Sequence, residues 1–280
     1  MWNRLLLVAG LACLPLSGQA RFAQEVEGSV DFDFLLDGKS TPACRILAPE
    51  QLAVEGRDLG KEVGERVLHT TPGKLTRRGD TVTVERSYPG AFSYRLELRP
   101  RATYFDLTFL VRNLGNREWR DLKADFCLGL SRLPSRSRPW SNEVFFRSVP
   151  PDRTEQGALW YSHITPKRLM YYWRGQWHGL HPNPLDPDPK KVPLYNAAFS
   201  NPKPARIVAL QPEAGQQVFF LMFDTESSAR EPFPGNACMH LDPLMANRVK
   251  PGESAVIKGK AGFGGTSLED AIGLLRNMER

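Results

Sequence analysis

Ala91-Phe92-Ser93-Tyr94-Arg95-Leu96-Glu97-Leu98-Arg99-Pro100 alternates apolar and polar side chains from Phe92 to Arg99. After Arg101 the alternation resumes through Phe105, Leu107, Phe109 and Val111. Asn113-Leu114-Gly115-Asn116 then turns the chain into Trp119–Leu130. A period of two sends successive side chains to opposite faces, so the run predicts three consecutive strands of an antiparallel sheet with one buried face. In the third strand Leu122, Ala124, Phe126, Leu128 and Leu130 share one face. Lys123, Asp125 and Cys127 share the other, a more polar face expected to look into a cleft.

Outward from this run the chain stays strand-like. Val30–Leu36 and Asp80–Ser87 read as strands, the second with Val82 and Val84 on one face. Residues 40–75 are irregular in pattern, with short candidates at Cys44–Leu47 and Arg66–Thr70. Further candidates are Glu143–Phe146, Ala158–Tyr161, Leu169–Trp173, Arg206–Leu210, Cys238–Asp242 and Ala255–Lys260. Val218–Phe223 is apolar almost throughout, as expected of a strand buried on both faces. Arg174–Pro204 holds prolines at 182, 184, 187, 189, 193, 202 and 204. Proline gives a ladder no donor, so a long ordered loop is expected there. One helix is expected, over 267–279: Ser267 and Asp270 make a capping start, and Leu268, Ala271, Ile272, Leu275 and Met278 form its apolar stripe. The class is all-β, a large antiparallel β-sandwich with one C-terminal α-helix, expected as a single domain over 21–280.

The N-terminus carries Arg4, an apolar run from Leu5 to Leu16, and small residues ending at Ala20. That pattern is a secretory signal peptide over residues 1–20. The apolar run is too short for a membrane span, which needs about 20 residues. The mature protein is thus expected to be exported, periplasmic or extracellular, with no transmembrane segment after cleavage. Gly10 stands three positions before Cys13, where a lipoprotein signal carries Leu, so lipidation at Cys13 is not expected. The net charge is +6, with basic residues concentrated in Arg132–Arg138. In an exported protein this excess suits a solvated face or an anionic polysaccharide, not nucleic acid. Cys44, Cys127 and Cys238 remain after cleavage, enough for at most one bridge. Either a Cys127–Cys238 bridge or buried thiols fits that count. No phosphate-cradling glycine loop, Gly-x-Ser-x-Gly elbow or His-Glu-x-x-His motif occurs, and no cofactor is expected.

Two local texts carry a family likeness. One runs from Tyr94-Arg95-Leu96-Glu97-Leu98 through Val111-Arg112-Asn113-Leu114-Gly115 to Trp119-Arg120-Asp121-Leu122. The other is Cys238-Met239-His240-Leu241-Asp242-Pro243 followed by Val249-Lys250-Pro251-Gly252-Glu253-Ser254. Together, over roughly residues 80–265, they resemble the β-supersandwich of galactose-mutarotase-like proteins. The resemblance is one of strand order and turn style. It implies a sugar on a concave sheet face and, in the enzymes, a His acid with a carboxylate base. No segment here reproduces those enzymes' catalytic motifs.

Candidate site residues follow from face patterning. On a strand, Cys238, His240 and Asp242 share one face, with Met239 and Leu241 on the other. His240 with Asp242 or Asp125 could run acid–base chemistry on a sugar ring. The alternative is a polar strand face with His240 satisfied by the backbone. Trp173-Arg174-Gly175-Gln176-Trp177-His178 offers rings that stack on sugar C–H faces beside polar groups for hydroxyls. Trp173, Arg174, Trp177 and His178 are therefore the ligand-binding candidates, against core packing of the aromatics. His178 and His181, with Asp186 and Asp188, do not make a convincing metal set, and no metal is expected there. These readings favour a carbohydrate-binding or accessory protein. A sugar-active enzyme, epimerase or lyase-like, and a structural envelope protein are the alternatives.

Overall fold

The computed structural model describes residues 32–35, 42–65, 68, 73–129, 169–173, 176–179, 203–210, 218–230, 238–265 and 267–278. The strands are β1 (Phe32–Leu35), β2 (Pro42–Val54), β3 (Arg57–Asp58), β4 (Lys74–Arg78), β5 (Thr81–Tyr88), β6 (Phe92–Pro100) and β7 (Tyr104–Asn113). They continue with β8 (Trp119–Gly129), β9 (Leu169–Trp173), β10 (Gln176–Gly179), β11 (Lys203–Leu210), β12 (Val218–Arg230), β13 (Cys238–Val249) and β14 (Ser254–Gly264). Two helices join them among the described residues, α1 (Leu59–Glu62) and α2 (Leu268–Arg276). The class is all-β with a C-terminal helix.

Turn chemistry sets the hairpins. Pro89-Gly90 and Pro251-Gly252 each occupy the centre of a tight turn, with Gly90 at φ 76° and Gly252 at φ 82°. Ala91 N–H donates to the Tyr88 carbonyl at 3.0 Å, and Glu253 N–H to the Lys250 carbonyl at 3.0 Å. Pro at the second position and a left-handed Gly at the third make type II turns. Between them the strands show the predicted alternation: Phe92, Tyr94, Leu96 and Leu98 are buried while Ser93, Arg95, Glu97 and Arg99 are partly or fully exposed.

The strands form one branched antiparallel sheet, and β12 is the branch point. Its first half, Val218–Phe223, pairs with β14. Its second half, Ser227–Arg230, pairs with β13. On its other edge β12 pairs with β11. One arm therefore runs β14-β7-β6-β5-β4 and the other β13-β8-β2-β1. The arms pack face to face. The rings of Phe109 on β7 and Phe126 on β8 stand edge to face with centroids 5.2 Å apart, although those strands share no ladder. Phe126 also meets Phe223 of β12 at 4.7 Å. The enclosed core joins Val82, Val84, Leu96, Phe105 and Phe109 to Leu52, Ala124, Phe126 and Leu241.

A second, smaller core lies outside the sandwich. Helix α2 sets Ala271, Ile272 and Leu275 on Ile207, Ala209, Phe220 and Met222. This explains why Val218–Phe223 is buried on both faces, as its sequence predicted. The expected capping is present. Ser267 Oγ accepts from Asp270 N–H at 3.3 Å, and Asp270 Oδ2 accepts from Ser267 N–H at 3.0 Å. Ser267→Ala is expected to cost about 1 kcal/mol in chemical denaturation. A loss below ~0.3 kcal/mol would mean the helix is held by its apolar stripe alone.

Several expectations are corrected. Residues 42–54, read as irregular apart from the Cys44–Leu47 strand candidate, form a 13-residue strand, interrupted by a bulge between Leu47 and Gln51. Strand β4 and the one-turn helix α1 gave no periodic signal. Arg174–Pro204 is not loop throughout: Gln176–Gly179 is strand, and Lys203 and Pro204 open β11. Strand β8 does not continue the β6–β7 hairpin but crosses to the other arm, between β2 and β13. It has two buried faces in its middle, because Asp125 and Cys127 are buried along with Ala124 and Phe126. The candidates Glu143–Phe146 and Ala158–Tyr161 lie outside the described residues, and Arg66–Thr70 does so apart from Leu68.

Candidate functional site

The ladder between β8 and β13 decides which polar groups meet. His240 lies opposite Cys127, and Leu241 opposite Phe126. Cross-strand partners share a face, so His240, Cys127 and Asp125 stand together on the side away from the sandwich core. The His240 Nδ1 atom lies 3.2 Å from Asp125 Oδ1. These residues are separated by 115 positions in the chain.

Strand β2 supplies a third group on the other side of β8. Leu47 lies opposite Cys127 and Gln51 opposite Asp125, so β2 takes more residues than β8 over the same length. The surplus forms a bulge containing Ala48, Pro49 and Glu50, and bulges re-aim side chains beside sites. Glu50 Oε2 comes to 3.6 Å from His240 Nδ1. One ligand-type atom from each of Glu50, Asp125 and His240 lies within 4.8 Å of the others. Exposure rises across the group, from 2% for the His240 side chain to 9% for Asp125 and 18% for Glu50.

One buried and one half-buried carboxylate beside a buried imidazole form an electron-rich cluster of oxygen and nitrogen donors. Such a set can accept hydrogen bonds from hydroxyls, orient the imidazole tautomer, or ligate a cation.

The other sequence candidates sit elsewhere. Asp242, on the same strand as His240, lies opposite Ser228 of β12 and is not one of the three grouped residues. Cys238 lies opposite Gly129 while Cys127 lies opposite His240, and Cys127 is a buried thiol, so the two cysteines do not bridge. Trp173 closes β9, and Trp177 and His178 lie in β10, paired with Tyr172 and Tyr171. That hairpin joins the sheet through β11, so β12 and β11 separate it from β13. Arg174, His181, Asp186 and Asp188 fall outside the described residues. Glu50 was not singled out in the sequence. Its only signal is Pro49, two residues past the Cys44–Leu47 candidate, which fits a bulge but does not give its direction.

No family model matches the chain, and no curated protein matches it in sequence. Solved structures resemble it in fold. A galactose mutarotase related enzyme from Lactobacillus acidophilus is 10% identical, covers 80% of this chain and 84% of its own, and superposes with a TM-score of 0.40. A galactose mutarotase-like protein from Lactobacillus casei is 8% identical over 79% of this chain and 84% of its own, with a TM-score of 0.38. An α-N-acetylgalactosaminidase from Bifidobacterium bifidum, solved with GalNAc, is 10% identical over 88% of this chain and 35% of its own, with a TM-score of 0.41. Among the described residues no helix is long and apolar enough to cross a membrane.

Proposed function

We propose that the chain is an exported carbohydrate-binding protein whose ligand is held on the outer face of β2, β8 and β13 by Glu50, Asp125 and His240. One observation carries this reading: three polar side chains, distant in sequence, converge within 4.8 Å on a sheet whose opposite face is solid core. Titratable side chains gathered in a largely buried place concentrate at functional sites, which favours a function for this cluster. Sugar hydroxyls both donate and accept, which matches two carboxylate acceptors beside an imidazole. The sequence resemblance to galactose-mutarotase-like proteins favours the same ligand class. The carboxylates favour neutral hydroxyls over anionic groups at this spot. Export rests on the Met1–Ala20 pattern.

The β9–β10 hairpin bears on ligand size. Its inner strand β9 lies three strand spacings from β13 and β10, which carries Trp177 and His178, lies four, about 19 Å at ~4.8 Å per strand. A ligand touching both regions must therefore be an oligosaccharide.

A catalytic version is favoured by the 3.2 Å separation of His240 Nδ1 and Asp125 Oδ1. A carboxylate on one ring nitrogen fixes the tautomer and leaves Nε2 to exchange protons with a sugar, with Asp125 as positioning residue. One set of variants addresses both versions. On a glycan array, the mature protein is expected to bind at least one glycan, and Glu50→Gln and His240→Gln to bind it at least ~10-fold more weakly, the cost of about one good polar contact. No binding to any glycan by the wild type sinks the binding reading. Turnover of a bound sugar followed by NMR is expected to fall by ~10²-fold or more in His240→Gln if protons move through this ring. Unchanged turnover removes the catalytic version.

A further inference from the structure

We infer that Glu50, Asp125 and His240 form a binding site for a divalent transition-metal ion, with Zn²⁺ as the best-fitting occupant. The argument is geometric. A tetrahedral ion with ligand bonds of 2.0–2.1 Å needs neighbouring donor atoms about 3.3–3.4 Å apart. The His240 nitrogen stands 3.2 Å from one carboxylate oxygen and 3.6 Å from the other, on either side of that value, and all three donor atoms lie within 4.8 Å of one another.

Donor chemistry selects the ion class. Calcium and magnesium prefer all-oxygen shells, and calcium takes six to eight ligands. An imidazole with two carboxylates suits zinc and its first-row neighbours. Three protein ligands leave a fourth position for water or a ligand oxygen, the arrangement of open zinc sites. The rising exposure from His240 to Glu50 puts that open position toward the Glu50 side. Asp125 and His240 are held on adjacent hydrogen-bonded strands, and Glu50 joins them from the bulge of β2. A bound cation would also give sugar hydroxyls a positive partner, so the inference deepens the proposed function while resting only on the protein's own donors.

Isothermal titration of the EDTA-treated, desalted mature protein with ZnCl₂ tests the site. One Zn²⁺ per chain is expected. Glu50→Gln and His240→Gln are expected to weaken binding at least ~10-fold, since even indirect supporters of metal ligands cost that much. Zinc is also expected to raise the melting temperature of the wild type and not of His240→Gln. Glu50→Gln, at the most exposed ligand, guards against a variant that fails to fold. A circular dichroism spectrum matching the wild type confirms it is folded. Absence of zinc binding overturns the inference. Equal zinc affinity in wild type and folded variants does so too, by placing the ion elsewhere on the surface. CaCl₂ binding as tightly as ZnCl₂ overturns it as well, because the imidazole would then not be a ligand. The two proposals fail separately. Zinc binding without glycan binding keeps the site and removes the carbohydrate reading. Glycan binding by a protein that ignores zinc does the reverse.

Discussion

Phe126→Ala is expected to lower stability by about 4 kcal/mol, the usual range for deleting a fully buried aromatic ring. Phe126 is fully buried and stands where the two arms meet. Its ring meets Phe109 edge to face at 5.2 Å and Phe223 at 4.7 Å. Aromatic pairs contribute ~0.5–1.5 kcal/mol beyond their area, so the loss exceeds simple transfer of a side chain to water. Both neighbours sit on paired strands and cannot collapse far into the cavity, which keeps the cost high. In a domain of this size the melting temperature should fall by roughly 10 °C. Phe126→Leu, which refills most of the space, should cost about 1.5 kcal/mol. Val256→Ala is the control, because Val256 is 47% exposed on β14 and its loss should stay within ~0.5 kcal/mol. Denaturant midpoints measure all three, and a Phe126→Ala loss below ~1.5 kcal/mol would show that the arms do not close on this ring.

The same strand shows what a sequence can and cannot disclose. The alternation over 92–111 identified β6 and β7 and their buried faces, because both have one core side and one wet side. In β8 the division into two faces was legible, yet the burial of Asp125 and Cys127 and the strand's neighbours were not. Pairing across 70–84 positions to β2 and 109–130 positions to β13 leaves no local mark. Strand β2 was read only in part, as the Cys44–Leu47 candidate, for a related reason. It is an interior strand with a bulge in its middle, so its apolar residues cluster as Ile46-Leu47-Ala48 and Leu52-Ala53-Val54 without a period of two.

The site was partly legible for the same physical causes. Asp125 and His240 were marked because each is a polar residue alternating with buried apolar ones. Asp242 was marked by the same rule and is not in the cluster: His240 pairs with both Cys127 of β8 and Arg230 of β12, whereas Asp242 has a ladder partner only in Ser228 of β12. Face patterning gives the side of a strand; only the ladder gives the neighbour. Glu50 projects from a bulge, where the rule of alternation lapses. The metal candidates His178 and His181 were sought along the chain by spacing, whereas the three donors that meet come from three strands.

Asn113 offers the second large effect, and it separates a hydrogen-bond role from a shape role. Its side chain is fully buried at the end of β7. Nδ2 donates to the Arg117 carbonyl at 2.8 Å and to the Val249 carbonyl at 3.1 Å, and Oδ1 accepts from Gly115 N–H at 2.9 Å. One amide thus ties the end of β7, the turn before β8 and the end of β13. Asn113→Ala strands the buried Val249 carbonyl and leaves the other two groups to water. The expected cost is about 3 kcal/mol. Asn113→Asp keeps the shape and the bond from Gly115 but replaces the double donor with an acceptor. At pH 7 a carboxylate then faces two carbonyl oxygens in a buried place, so the loss should exceed that of Asn113→Ala, at roughly 4 kcal/mol or more. Burial and those oxygens raise the folded-state pKa of the introduced carboxyl above its unfolded value of about 3.9. A raised folded pKa means the folded state binds the proton more tightly. The defect is therefore smallest below about pH 4, where the neutral acid can donate one bond, and grows as pH rises through the folded pKa. Denaturation of the two variants across pH 3.5–7, each referred to the wild type, measures this. If Asn113→Asp is no worse than Asn113→Ala at pH 7, or its deficit is flat with pH, the residue fills space and its donors are not what holds the three segments together.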